Sequence, residues 1–308
     1  VFREWEARCI RLLKAVPGVR VVVLVRNGSD GDDKQTGRPD PSRLRRLLTY
    51  PWHMVLYLQY RKRLFKPRAM ALVDLSEEFA GVPIVSCRPD RKGHGEHFTQ
   101  QDIAAIAAHA PDVLLRFGFN IIRGAILQLP RFGVWSFHHG DELKYRGGPP
   151  GFWETMHGDP VTGAILQRLT DRLDGGVVLR KGWFNTIDHS LQETVDTVLS
   201  ASAHWPAGLC KELLAGRTQV SEGIPSSTTA PIFKYPRNVT FLRFLWKQAS
   251  NKLRFHRDAQ RKHEQWNIGI LHQPIASLME DKTNLNIRWL PEPGKGQFRA
   301  DPFGYILN

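Results

Sequence analysis

Ser136 and His138 lie two residues apart in the apolar run Val134-Trp-Ser-Phe-His138, ahead of a basic, glycine-rich stretch, Lys144-Tyr-Arg-Gly-Gly148. A carboxylate, Asp174, follows in the tight sequence Leu173-Asp-Gly-Gly176. If residues 134–138 form a strand, alternation of side chains sends Ser136 and His138 to one face and Trp135 and Phe137 to the other. A hydroxyl, an imidazole and a carboxylate are the components of an acid/base site, in which the imidazole moves a proton and the carboxylate orients it. His139 falls on the opposite face of the same strand and is read as a bystander. His94 and His97 have metal-like spacing in His94-Gly-Glu-His97 but lack a third ligand nearby, so no metal is expected.

Those residues need a scaffold, and the chain supplies an alternating pattern. Trp5, Cys9, Leu12 and Leu13 recur at helical spacing, and Pro17-Gly18 ends that helix. Residues 21–25 are a continuous β-branched run, as in a strand covered on both faces. Helix is expected at 72–79 and 99–109, and strand at 82–87 and 113–117. Ser190-Leu-Gln-Glu193 is a capping box that opens one long helix toward Leu214. Strands alternating with helices imply an α/β fold with an open, doubly wound, mostly parallel sheet. Ligands bind such sheets beyond the carboxyl ends of the strands, where His138 falls.

Within 308 residues, three regions are expected: an α/β domain over 1–215, a linker and basic helix over 216–264, and an incomplete β segment over 265–308. The net charge of +13 is uneven: residues 41–70 hold eight Arg/Lys and no acid, and residues 231–263 hold nine against Asp258 alone. Residues 43–66 read as one or two basic amphipathic helices broken near Pro51, with Trp52, Leu56, Tyr57, Tyr60 and Phe65 interleaved. That pattern is a candidate for attachment to an anionic membrane surface. No run approaches the length of a membrane span. Three widely spaced cysteines fit a reducing, cytoplasmic setting better than a disulfide framework.

From Pro111 to Gly176 the order and spacing of motifs resemble the folate-dependent formyltransferases, a family that includes methionyl-tRNA, glycinamide ribonucleotide and amino-sugar formyltransferases. The matching residues are Ser136-Phe-His138, Lys144-Tyr-Arg146-Gly147, His157-Gly-Asp159 and Leu173-Asp174-Gly-Gly176. The resemblance extends more weakly over 5–215 and implies a formyltransferase-like, Rossmann-like domain whose first strand lies before Val1. It implies transfer of a formyl group from 10-formyltetrahydrofolate to an amine, with His138 donating to the oxyanion and Asp174 orienting the imidazole or handling the proton. The pterin is expected against Gly118, Phe119, Ile121, Ile122 and Arg123 and against Leu169, Asp171 and Leu173. Tyr145, Arg146 and Gly147 are expected at the acceptor, a small amine on an amino sugar or sugar-nucleotide. The small β-barrel of tRNA-specific relatives finds no match after residue 215, which argues against a nucleic-acid substrate.

Ser136 departs from the asparagine that the family carries there, and so removes an amide donor from the oxyanion. An alternative reading therefore stands beside the enzyme: an impaired formyltransferase-like module that binds or scaffolds. The stretch Phe298-Arg-Ala-Asp-Pro-Phe-Gly304, after expected strands at 266–271 and 286–290, resembles the first blade of a glycosidase-like β-propeller, with Asp301 as its acidic residue. In that reading the module would serve a carbohydrate-active propeller.

Overall fold

The computed structural model describes residues 1–28, 51–92, 95–171, 175–218, 226–261, 267–272, 287–292 and 294. The chain divides into two compact units, Val1–Lys252 and Leu253–Asn308. Strand β1 (Phe2–Arg3) leads into helix α1 (Glu4–Lys14), whose start is closed by Glu6 accepting from the Arg3 amide at 2.8 Å. Glu4 and Glu6 in its first turn and Arg11 and Lys14 in its last complement the helix dipole. Of the expected stripe Trp5 and Cys9 lie in the core together with Ala7 and Ile10, while Leu12 and Leu13 are partly buried.

Strand β2 (Leu24–Asn27) begins three residues later than the apolar run predicts. After helix α2 (Val55–Arg63) comes the first correction. Residues 72–79 are not helical: β3 (Leu72–Val73) pairs antiparallel with β1, and turns follow. Asp74 accounts for this, since its carboxylate accepts from both the Ser76 amide at 2.9 Å and the Ser76 hydroxyl at 2.5 Å. Such local bonds satisfy a turn at the expense of the helix ladder.

Strand β4 (Ile84–Cys87) pairs parallel with β2. Strands β5 (Asp90–Lys92) and β6 (Gly95–His97) are antiparallel, and helix α3 (Gln100–Ala107) is opened by reciprocal bonds between Thr99 and Asp102. Strand β7 (Leu114–Arg116) is followed by β8 (Ile121–Arg123), parallel to β6, and by β9 (Val134–His138), parallel to β7. Next come β10 (Arg146–Gly147), helix α4 (Phe152–His157), and the long strands β11 (Val161–Arg168) and β12 (Val177–Asn185). The largest sheet has the order β12–β11–β9–β7. The fold is α/β with parallel pairs, as expected. Its site-bearing sheet is nevertheless mixed, because β11 runs antiparallel to both β9 and β12.

The single helix expected from 190 to 214 is two, α5 (Leu191–Ser202) and α6 (Trp205–Leu214). Pro206 has no amide hydrogen to give an earlier turn, so it sits at the start of a new helix. Past the expected boundary at 215 the chain returns: β13 (Ile232–Phe233) pairs parallel with β10, and helix α7 (Asn238–Arg261) follows. Phe241 and Phe244 of α7 are buried, Phe244 stacking on Phe152 at 4.3 Å. Residues 226–252 therefore belong with the first unit.

The basic aromatic stretch changes meaning as well. Residues 41–50 lie outside the described residues, while Tyr57 and Tyr60 pack on Phe241 and Phe65 packs on Tyr60. Those three rings pack inward, whereas Trp52 and Leu56 of the same stretch stay exposed. Beyond α7, β14 (Gly269–Leu271) and β15 (Ile287–Trp289) form an antiparallel pair. Asp301 and residues 298–304, on which the propeller expectation rests, lie outside the described residues. No helix among the described residues is long and apolar enough to cross a membrane.

Candidate active site

Strand β9 carries the site, held by β7 on one side and β11 on the other. Period-2 alternation holds. Phe137 stacks on His139 at 5.6 Å on the face that meets Trp5, while Ser136 and His138 turn the other way. Burial, with His138 adding a like charge, drives the His139 pKa down to about 3, so this ring stays neutral at physiological pH. It is a core residue of the α1 contact.

His138 Nε2 lies 3.1 Å from the Tyr145 carbonyl oxygen. A carbonyl only accepts, so the neutral ring carries its hydrogen on Nε2 and leaves Nδ1 as the free nitrogen. In that tautomer Nδ1 is the nitrogen able to accept a proton. The turn that brings this carbonyl into place is built by Asp141, whose backbone oxygen accepts from the amides of Lys144 at 2.9 Å and Tyr145 at 2.6 Å. The Asp141 carboxylate is anchored by Lys181 at 2.7 Å and Trp183 at 3.3 Å, and Glu142 shares the same ammonium at 3.0 Å. The hydrogen bonds from Lys181, the Leu143 amide and Trp183 outweigh burial and hold the Asp141 pKa below the usual carboxylate range.

Gly140 leaves the room this contact needs. A Cβ there would stand 2.7 Å from the Tyr145 oxygen and 3.0 Å from His138 Nε2. Gly140→Ala is therefore expected to separate the two groups. The nitrogen NMR shifts of the His138 ring would then lose their Nε2–H signature while far-UV circular dichroism stays unchanged; an unaltered tautomer would refute this account.

Ser136 is only 1% exposed, and its hydroxyl is already engaged. Arg116 Nη1 donates to Ser136 Oγ at 2.7 Å, and Nη2 donates to the Phe119 carbonyl at 3.1 Å. The register makes this unavoidable, since Arg116 on β7 is the direct partner of Ser136 on β9. Burial lowers the Arg116 pKa, opposed by the Glu96 carboxylate. Glu96, itself 1% exposed, is held by the Asn120 amide at 2.8 Å and the Asn120 side chain at 2.7 Å. A partly buried cation thus stands beside Ser136, the position where the family carries asparagine. Sequence reading missed Arg116, although one charge ending the apolar run Val113-Leu-Leu was the available signal.

The two loops expected to meet a pterin are tied together. Gly124 N donates to Asp171 Oδ1 at 2.9 Å, and Arg123 donates to the Asp171 carbonyl. Leu169 and Phe119 pack on the cluster containing Ile122, with Phe98 against Phe119 at 5.1 Å. Gly118 faces open space, and Ile121 is partly buried on β8. Backbone groups beside an apolar floor suit a flat heterocycle, so these residues fit a folate. Leu173 and Asp174 lie outside the described residues.

Tyr145, Arg146 and Gly147 meet a segment that sequence reading left in the linker. Arg146 Nη1 donates to the Ala230 carbonyl at 3.0 Å, and the Gly148 amide to the Phe233 carbonyl at 3.1 Å. Gly147, at φ +87°, passes so close that a Cβ would overlap that carbonyl. The ring of Phe233 packs on Tyr145, Trp153 and His157 at 5.0–5.6 Å, making an aromatic wall beside Asp159. On α4, Glu154 is 1% exposed with one carboxylate oxygen unpartnered, and burial pushes its pKa up to about 7. Among the described residues no cluster of metal ligands occurs.

An open α/β domain with His138 at the carboxyl end of a strand is what the fold and the site define. No family model matches the chain. In sequence, however, it is related to formyltransferases, which bears out the resemblance read from its motifs. Methionyl-tRNA formyltransferase of Acidobacterium capsulatum is 31% identical over 141 residues, 46% of this chain and 42% of that protein. The enzyme of the same name from Desulfotalea psychrophila is 29% identical over 188 residues, 58% of this chain and 54% of its own. The chain thus spans about half the length of these curated relatives. Among solved structures, phosphoribosylglycinamide formyltransferase from Anaplasma phagocytophilum is similar over 75% of this chain and 92% of its own, at 12% identity and a TM-score of 0.44.

Proposed function

We propose that this protein transfers a formyl group from 10-formyltetrahydrofolate to the amino group of a small, sugar-linked acceptor. The observation that carries the reading is the placement, at the ends of the adjacent parallel strands β9 and β7, of an oriented imidazole and a partly buried guanidinium. Amide formation needs an uncharged amine, a proton acceptor and positive charge facing the oxyanion. His138, fixed through Nε2 on the Tyr145 carbonyl, offers Nδ1 as the acceptor. Arg116, fixed on Ser136 and Phe119, brings a charged N–H donor in place of the neutral amide donor of an asparagine. Asp174 is assigned to orient or relay, by its position in the Leu-Asp-Gly-Gly motif.

The folate, when bound, supplies the activated formyl group; the Gly118–Arg123 and Leu169–Leu173 loops hold its ring and keep water from it. The aromatic wall of Tyr145, Trp153, His157 and Phe233, next to the Asp159 carboxylate, supports a sugar-linked acceptor, because sugar C–H faces pack on rings while hydroxyls need acceptors. Arg146 and Gly147 set the edge of that wall.

Two measurements test the reading. A folate analogue should bind the full chain in titration calorimetry, and formyl transfer to a panel of amino sugars should fall roughly 100- to 10,000-fold in His138→Ala. A well-folded sample that binds no folate analogue would remove the enzyme reading and leave the non-catalytic binding module.

A further inference from the structure

Helix α7 has two apolar sides, and only one of them is used. Phe241 and Phe244 are buried against Tyr57 and Phe152. On the opposite side Val239, Leu242 and Trp246, spaced by three and four residues, are 63%, 54% and 68% exposed. Side chains at that spacing form one stripe. Arg243, Trp246, Lys247 and Ser250 line a shallow depression along its flank. Lys247 is partly buried, its ammonium donating to the Met156 carbonyl at 3.0 Å, whereas Arg243 is exposed. No acidic residue occurs between 223 and 257, while Lys234, Arg237, Arg243, Lys247 and Lys252 do. Helix α2 adds to the same end of the helix: Asn238 accepts from the Leu56 amide at 3.1 Å and donates to the Trp52 carbonyl at 2.7 Å. Trp52 and Leu56 are themselves exposed, as are Arg61, Lys62 and Arg63.

We propose that this outward face of α7 seats the protein on an anionic lipid surface. A bilayer interface takes both halves of the pattern: aliphatic and indole side chains enter the headgroup boundary while the basic flank meets lipid phosphates. A second copy of the chain fits poorly, because a two-fold contact lays a patch against itself and would oppose Arg243 and Lys247 with their own kind. A nucleic acid would satisfy the basic residues but gives Val239 and Leu242 nothing to bury against. The attachment lies outside the catalytic machinery and does not depend on it.

The test is flotation of the full chain with vesicles of phosphatidylcholine alone or with one-fifth phosphatidylglycerol. The expected result is binding to the anionic vesicles only, reduced by salt. Arg243→Gln with Lys252→Gln should weaken it roughly 25-fold, at a factor of five per basic residue. Leu242→Ser with Trp246→Ser should weaken it about tenfold or more. All four positions are exposed, so folding is preserved, and circular dichroism checks this. Three outcomes overturn the proposal: no anionic binding, binding that ignores Leu242 and Trp246, or the same substitutions acting on RNA binding or self-association instead.

Discussion

Arg116→Met lowers formyl transfer about 100- to 1,000-fold, the usual cost of removing one donor from an oxyanion site, while folate binding changes little. The expectation follows from the guanidinium being fixed at 2.7 Å on Ser136 and 3.1 Å on Phe119 before any ligand arrives. A preset charge in a water-poor site needs no reorganisation during the reaction, so its loss falls on kcat rather than on KM. Arg116→Lys should recover part of the rate. The serine follows from the same geometry. At 1% exposure, position 136 has no space for an asparagine while Arg116 is present, so Ser136→Asn alone should destabilise the protein. The double variant Arg116→Ala with Ser136→Asn should return activity to within about tenfold of the parent. A double variant as inactive as Arg116→Met, with its fold intact, would show that the two groups do not substitute for one another.

Glu154→Gln stabilises the protein at pH 8 by about 3 kcal/mol and changes little at pH 4. Burial is the main cause: it pushes the carboxyl up to about 7 in the folded chain, against an ordinary value of 4.5. A raised carboxyl pKa means the folded state holds the proton more tightly. The associated stability is fully present below about 4.5 and is lost as the pH rises through about 7. The glutamine keeps the shape and removes the titration. Urea unfolding of both proteins at pH 4 and pH 8 measures the difference. An equal effect at the two pH values would mean that Glu154 finds a compensating partner when ionised.

What could be read from the residues was whatever is local. The helix cap at Ser190, the burial of Trp5 and Cys9 on α1 and the strand ending at His138 each depend on neighbours within one or two turns, and each appears where expected. The α/β class was legible for the same reason, because it is a sum of such local patterns. Leu72 failed because two apolar residues and an Asp-x-Ser turn resemble the opening of a helix until β1 is seen to pair with them. Arg116 was invisible for a deeper reason. Its partner lies twenty residues away on the adjacent strand, and only the β7–β9 register places the two side by side. Tyr57 and Tyr60 misled in the opposite sense: basic neighbours made them look like a surface stripe, whereas the ring they pack on, Phe241, is far along the chain.

The pairing of β10 with β13 has a consequence for where this chain can be cut, fused or recombined. The helices and strands that spell an α/β domain end near Leu214, and a junction engineered there would look harmless. It would remove the Phe233 carbonyl that lies against Gly147 and the Ala230 carbonyl that holds Arg146. The loop so released is the one whose Tyr145 oxygen sets the proton on His138. A junction placed after Phe233 keeps these contacts with the loop that meets His138.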